Sequence, residues 1–215
     1  MKKEAEIKLL QAQINPHFLY NTLDAIRMHA ILRDNDELGD MLVSLAALFR
    51  YSISKSREVV TIRDEIQYVE NYMNLLNIRL VDIITLNINV SEQLCRCKIL
   101  KLVLQPLIEN AFKHGLKTKK VNKVININGH LNNGIIILEV EDNGVGINGD
   151  NLERLNARLS EVGQKEQYSS GIGLSNVNSR IKLYFGANYG VILDSRFGEG
   201  TRASLSIPMG KEGEE

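Results

Sequence analysis

Apolar residues recur at helical spacing up to about residue 80 and alternate with polar ones through much of the rest, and this change of period limits what the chain can fold into. Residues 2 to about 32 read as helix with one interruption. Ile7, Leu10 and Ile14 precede Asn15-Pro16-His17, and Phe18, Leu19, Leu23 and Ile26 follow. Pro16 lacks an N–H, so it kinks or restarts the helix; Asn15 as N-cap with Pro16 as first helical residue suits a restart. After the polar turn Arg33-Asp34-Asn35-Asp36, a second helix over about 37–55 carries Leu38, Met41, Leu42, Leu45, Leu48 and Phe49 on one face. Two striped helices joined by a short turn predict an antiparallel hairpin with too little core to stand alone, so it should dimerise or dock. Thr61-Ile62-Arg63-Asp64-Glu65 has the spacing of a capping box. The helix it opens should run to about Arg79 and bury Ile66, Val69, Tyr72, Met73 and Leu76.

From Ile83 the period is two. Ile84, Leu86, Ile88 and Val90 alternate with Thr85, Asn87 and Asn89, as in a half-buried strand. Two further strand-like runs, Lys123 to His130 and Gly134 to Glu141, flank Asn132-Asn133-Gly134, a hairpin-turn signal. A short helix over about 151–160 precedes a polar, patternless stretch, Glu161 to Ser170, which reads as a mobile loop. A helix from about Gly173 to Phe185 follows. Gly190 to Pro208 reads as two strands turning at Gly198-Glu199-Gly200. Blocks of helices and mostly antiparallel strands give an α+β fold: an N-terminal helical hairpin, then an α/β sandwich with helices on one face of a mixed sheet. The expected division is residues 1–80, helical, and 81–215, the sandwich.

Composition excludes several classes. With 26 basic and 26 acidic residues the formal net charge is +0, so no global field draws nucleic acid. No apolar run reaches the length of a membrane span, and no signal peptide is visible at Met1-Lys2-Lys3-Glu4. Cys95 and Cys97 are too close to bridge without strain and too few for a metal site, so reduced cysteines are expected.

The chemistry concentrates in two places. In Gln105-Pro106-Leu107-Ile108-Glu109-Asn110-Ala111-Phe112-Lys113-His114-Gly115, Leu104, Leu107, Ile108, Ala111 and Phe112 form an apolar stripe, opposite Glu109, Asn110, Lys113 and His114. Asn offers an oxygen to a hard cation, Lys a charge to phosphate, and Glu a base for water or an anchor for that cation. Alone, this is also what a solvated polar face looks like. The glycines that follow change that. A strand ends in Asp142-Asn143-Gly144-Val145-Gly146, and Gly171-Ile172-Gly173-Leu174 opens a helix. Glycines let backbone approach a ligand, and a helix N-terminus favours phosphate. Asp142 at a strand end can accept from an exocyclic amine such as adenine's. The glycine spacing is not the dinucleotide fingerprint, and no Gly-Lys-Ser/Thr makes it a P-loop.

This order of motifs resembles the ATP-binding domain of the GHKL superfamily over roughly residues 80–208. The resemblance implies ATP and Mg²⁺ as cofactors, Asn110 as the metal ligand, and Asp142 on the adenine amine with Gly144 and Gly146 close to the base. It puts Gly171 and Gly173, with Leu174, beside the phosphates beneath a lid of residues 148–170. Thr201 supports the Asp142 contact, Lys113 reaches phosphate and His114 lines the nucleotide site. Pro106 departs from a second Asn that many histidine kinases carry four residues before the metal ligand. Glu109 either compensates through the metal or acts on the nucleophile.

Of four histidines, His17 stands out. A lone helical His is usually a surface or packed residue. This one follows a proline kink on a hairpin attached to an ATP-type domain, and neutral imidazole is a competent nucleophile near pH 7. Gln11-Ala12-Gln13-Ile14-Asn15-Pro16-His17-Phe18-Leu19-Tyr20-Asn21-Thr22-Leu23 resembles the phosphoacceptor segment of LytS/YesM-type sensor histidine kinases, as do Leu48-Phe49-Arg50-Tyr51-Ser52 and residues 105–115. That resemblance implies autophosphorylation of His17 from ATP and transfer to an aspartate of a response regulator, a receiver joined to an AraC-type output domain. It also implies a homodimer through the N-terminal helices, with the membrane reached only through a sensor region ahead of this portion. Phe18 departs from the acid that commonly follows the phosphoacceptor, so either Glu109 takes the proton or none need be taken. Asn21, one turn on, corresponds to a residue that positions water for dephosphorylation. The competing reading is an ATP-binding conformational switch without histidine phosphorylation.

Overall fold

The computed structural model describes residues 16–53, 58–80, 83–119, 121–160 and 172–210. Helix α1 is described over Pro16–Ile31, and α2 (Asp36–Ile53) packs back along it. The Asn35 side-chain oxygen accepts from Leu38 N–H (3.1 Å) at the start of α2. Leu23, Ala30 and Leu42 are buried in the hairpin, whereas Phe18, Met28 and Leu32 stay largely exposed. The expected helix ahead of Pro16 and the Asn15 cap lie outside the described residues.

A short strand, β1 (Val59–Thr61), leads into α3 (Ile62–Arg79). The expected capping box is present: Thr61 Oγ1 accepts from Asp64 N–H, and Asp64 accepts from Thr61 N–H. Such a cap contributes about 1 kcal/mol. Strand β2 (Ile84–Asn89), a one-turn helix α4 (Glu92–Cys95) and β3 (Lys98–Leu100) follow, with β3 antiparallel to β1. Sequence periodicity did not give β1, α4 or β3, because three or four residues are too few to show a period. Cys95 closes α4 and is buried, Cys97 lies just beyond it, and the two thiols are not joined in a disulfide.

Helix α5 (Leu104–Asn110) continues into a π-helical turn over Ala111–Leu116. Then come β4 (Lys123–Asn132), β5 (Ile135–Asp142), α6 (Gly149–Ser160), α7 (Ile172–Phe185), β6 (Gly190–Arg196) and β7 (Gly200–Pro208). The five-stranded sheet has order β2-β4-β5-β7-β6, with β2 parallel to β4 and every other pair antiparallel. The β4–β5 hairpin turns on Asn133 (φ 49°) and Gly134 (φ 79°), both left-handed, as the Asn-Gly signal requires.

One sheet face is apolar. Ile125, Ile127, Ile136, Leu138, Val140, Leu193, Leu205 and Ile207 are buried against α3, α5 and α7, which supply Val69, Met73, Leu104, Leu107, Ile108 and Ile181. The other face is polar, with Asn87 bonded to Asn126 (2.9 Å) and Arg202 paired with Glu141 (3.2 Å). An α+β sandwich with helices on one face of a mixed sheet is therefore the observed architecture. The expected boundary near residue 80 falls between α3 and β2, although the apolar face of α3 shares the core of the sheet.

Candidate functional site

A cavity of about 510 Å³ lies between α5, the β5 end, α6 and the start of α7. Its walls include Asn110, His114, Asp142, Gly146, Leu174 and Thr201, all expected from the sequence. Leu107, Ile147, Leu155, Leu159 and Leu193 supply apolar surface. A flat apolar ring with an exocyclic amine suits such walls if one fixed acceptor waits inside.

Asp142 places a buried carboxylate on that wall. It is the last residue of β5, 4% exposed, and cross-strand from Thr201 of β7. Its carboxylate accepts from Gly144 N–H (2.8 Å) and from the Thr201 N–H. Burial nevertheless pushes the carboxyl up to about 6, because desolvation outweighs those two donors. Two glycines make room for it. A Cβ on Gly115 would overlap the Asp142 carboxyl, and a Cβ on Gly144 would overlap the Gly115 carbonyl. Val145 N–H then donates to that carbonyl (3.1 Å), which joins the π-helical turn to the glycine loop. Gly146 (φ +67°) has no room for a side chain either, because its Cβ would meet the Arg196 carbonyl.

The polar residues of α5 divide. Asn110 and His114 face the cavity, whereas Glu109 and Lys113 pair with each other (2.5 Å) and do not line it. Gln105 Nε2 also donates to Glu109 (2.8 Å). The Asn110 amide nitrogen donates to the Pro106 carbonyl (2.8 Å), so the oxygen is the end left to offer a hard cation. Proline at 106 is compatible with the first turn of α5, where its missing N–H breaks no helical bond. A Cβ on Gly173 would stand 3.5 Å from the Pro106 ring, so the start of α7 lies against it. The lysine and arginine side chains lining the cavity, among the described residues, are Arg154 and Arg158 of α6. Gly171 and the second part of the expected lid, residues 161–170, lie outside the described residues; residues 149–160 are helix α6.

Sequence reasoning missed Gly115, Arg154, Arg158 and Ser195. Ser195 Oγ donates to the Gly200 carbonyl (2.6 Å), accepts from Ile147 N–H (2.9 Å) and lies 3.0 Å from Thr201 Oγ1. It thereby fixes both the glycine loop and Thr201. Nothing local in the sequence marks Ser195 or Gly115, since both act through contacts distant along the chain. The pair Arg154 and Arg158, four apart on a helix beside a glycine loop, was a readable signal.

His17 is exposed in the first turn of α1, and its Nδ1 lies 3.3 Å from Asn21 Nδ2. No residue of α1 or α2 lines the cavity. The two candidate regions therefore lie apart, one lining a cavity and one presented to solvent.

Comparison with known proteins defines the class. Residues 97–211 match the family model "Histidine kinase-, DNA gyrase B-, and HSP90-like ATPase", and the chain belongs to that family. Residues 5–84 match the "Histidine kinase" model. The LytS/YesM likeness read from the sequence is borne out among the relatives. "Sensor histidine kinase YesM" of Bacillus subtilis is 38% identical over 98% of this chain and 34% of its own length. "Sensor histidine kinase BtsS" of Escherichia coli is 30% identical over 99% of this chain and 35% of its own length. "Sensor protein LytS" of Bacillus cereus is 32% identical, again over 99% and 35%. The chain thus spans about a third of the length of these curated relatives. Among solved structures, the histidine kinase domain of a blue-light activated kinase from Erythrobacter litoralis is 15% identical, covers 97% of this chain and 95% of its own, and superposes with a TM-score of 0.49.

Proposed function

We propose that this chain is the kinase core of a two-component sensor, binding Mg-ATP in the cavity and phosphorylating His17. The observation that carries the reading is Asp142, a buried carboxylate that glycines and the β5 end hold inside a cavity of nucleotide size. The adenine amine donates to Asp142 while the ring lies among Ile147, Leu155 and Leu193. Thr201 supports that contact, and Gly144 and Gly146 shape the loop beneath the base. Leu174, Gly171 and Gly173 belong to the phosphate end. Arg154 and Arg158 neutralise phosphate charge; Lys113 joins them when its pairing with Glu109 opens, and His114 lines the same wall.

Asn110 fits the Mg²⁺ role, because a small hard cation that keeps its waters and bridges phosphates needs only one or two protein oxygens. When bound, that ion would neutralise charge on the phosphate oxygens. The chain's own part is positioning. A His17 ring nitrogen attacks the γ-phosphorus, the bond to the β–γ bridging oxygen breaks, and ADP departs with that electron pair. Imidazole needs one nitrogen with a lone pair and sheds the other proton afterwards. Asn21 suits the control of that choice: turned to present its oxygen, it accepts Nδ1–H and so makes Nε2 the nitrogen that carries the attacking lone pair. Glu109 can take the proton once released from Lys113.

Because no hairpin residue lines the cavity, the hairpin and the nucleotide must approach for transfer, within one chain or across a dimer made by the N-terminal helices. The acceptor of the phosphoryl group is the aspartate of a response regulator, a receiver with an AraC-type output. The chain would be the cytoplasmic portion of a membrane-anchored sensor; no helix among the described residues is long and apolar enough to cross a membrane. The test is titration with a nonhydrolysable ATP analogue. Saturable, Mg²⁺-strengthened binding that Asp142→Asn strongly weakens is expected, and wild type without affinity would overturn the reading.

A further inference from the structure

A second buried carboxylate lies behind the nucleotide site, and the chemistry above makes no use of it. Glu65 of α3 is 0% exposed. Its two oxygens accept from Leu102 N–H (2.6 Å), Val103 N–H (2.9 Å) and Leu104 N–H (3.0 Å), the backbone at the start of α5. They also accept from the Tyr51 hydroxyl (2.5 Å), which comes from the last turns of hairpin helix α2. A carboxylate at a helix N-terminus meets donated N–H groups and the positive end of the helix dipole, so both hold it there.

The surroundings show that this junction is built. Leu102 has φ +59°, a left-handed conformation that a branched side chain rarely adopts. Glu65 binds the N–H of this residue, so the carboxylate fixes the turn that aims α5. The Tyr51 ring stands against Tyr68 of α3 (centroids 4.9 Å apart) and beneath the Lys101 ammonium (4.9 Å). Tyr68 OH lies 3.4 Å from Ser52 Oγ, a second tie to the end of α2. Arg180 of α7 donates to the Lys101 carbonyl (2.8 Å), so the helix behind the phosphate end is fastened to the same turn.

We propose that Tyr51 and Glu65 are positioning residues for the nucleotide site: one buried carboxylate is shared between the end of the hairpin and the start of the helix that carries Asn110. Asn110 stands less than two turns from the Glu65-bound end of α5, whereas the π-helical turn beyond it is anchored through Gly115 to the glycine loop, so a tilt at the Glu65 end displaces Asn110 about that anchor. A hairpin displacement that withdraws the Tyr51 hydroxyl takes that hydrogen bond from the carboxylate and loosens its hold on the left-handed turn at Leu102. The orientation of the hairpin therefore sets where the Asn110 oxygen stands relative to the nucleotide. Asp142, on the far wall and held by its own glycines, is left where it was.

This inference rests on the reading of the cavity as a Mg-nucleotide site, and its test separates the two. The dissociation constant of a nonhydrolysable ATP analogue is measured in Mg²⁺ and in EDTA, for wild type, Tyr51→Phe, Glu65→Gln, Asn110→Ala and the Tyr51→Phe/Asn110→Ala double variant. Tyr51→Phe is expected to weaken binding in Mg²⁺ by about 5-fold, the size of one net hydrogen bond, and to leave binding in EDTA unchanged. In the double variant Tyr51→Phe is expected to add nothing to Asn110→Ala. Glu65→Gln should show the same selectivity with a larger loss; should it fail to fold, Tyr51→Phe carries the test alone. Equal losses in Mg²⁺ and EDTA would mark a merely structural junction and overturn the proposal. Wild-type behaviour of Tyr51→Phe would overturn it too. A wild type that binds no nucleotide at all would overturn the site reading itself, and this inference with it.

Discussion

Asp142 and His17 carry the two ends of the proposed reaction, and the fold treats them in opposite ways. Asp142 is buried, set at the end of a central strand and enclosed by backbone that only glycine can supply. His17 is exposed in a helix first turn, with Asn21 as a neighbour one turn on. The difference follows from what each must do. A base-recognition contact gains from low dielectric and from having its geometry fixed in advance. A phosphoryl acceptor must reach two partners in turn, ATP and then a regulator, so enclosure would defeat it.

The comparison breaks most readily at Asp142. Asp142→Asn is expected to weaken nucleotide binding by about 100-fold, because a charge-assisted acceptor becomes a neutral amide, while leaving hairpin helicity unchanged. The same substitution should stabilise the protein at neutral pH. The folded carboxyl titrates at about 6, above its ordinary 3.8, so the folded state holds the proton more tightly than the unfolded one. Its contribution is therefore fully present below about pH 4 and is lost as pH rises through about 6. Near pH 7.5 the variant should gain up to about 3 kcal/mol, and near pH 4 the gain should vanish; melting scans at both pH values check it. In wild type, nucleotide affinity should fall as pH drops through 6.

Gly115→Ala comes next. Its Cβ overlaps the Asp142 carboxyl, so a loss of about 1–3 kcal/mol is expected in denaturant titration, with weakened nucleotide binding. Asn110→Ala should lower affinity about 10-fold in Mg²⁺ and little in EDTA, measured by titration with the ATP analogue. The smallest effect belongs to the presented side. Asn21→Ala should slow phosphorylation only a few-fold, about the size of one exposed hydrogen bond, with nucleotide affinity unchanged. Equal sensitivity of binding to Asn21 and Asp142 would erase the contrast between the regions.

The sequence was most legible where its signals are local. The capping box at Thr61 and the Asn133-Gly134 turn each rest on residues a few positions apart, and both stand as read. The wall formed by Asn110, His114, Asp142 and Thr201 could be read because the motifs keep a fixed order along the chain. What could not be read depends on contacts between distant segments. The β1–β3 ribbon joins positions about forty residues apart, Gly115 is a glycine because of Asp142, and Ser195 acts on a loop forty-eight residues earlier. The separation of Glu109 and Lys113 from Asn110 and His114 is of the same kind. A helical wheel puts all four together, but the Glu109–Lys113 pairing and the π-helical turn leave only two on the cavity wall.

The central claim is that His17 receives phosphate from ATP bound beside Asp142. The most direct measurement is incubation with γ-labelled ATP and Mg²⁺, comparing wild type with His17→Ala. The account predicts acid-labile, base-stable label on wild type alone, with equal nucleotide affinity in both. Label of the same stability on His17→Ala would contradict it, as would binding and hydrolysis of ATP by both proteins with label on neither.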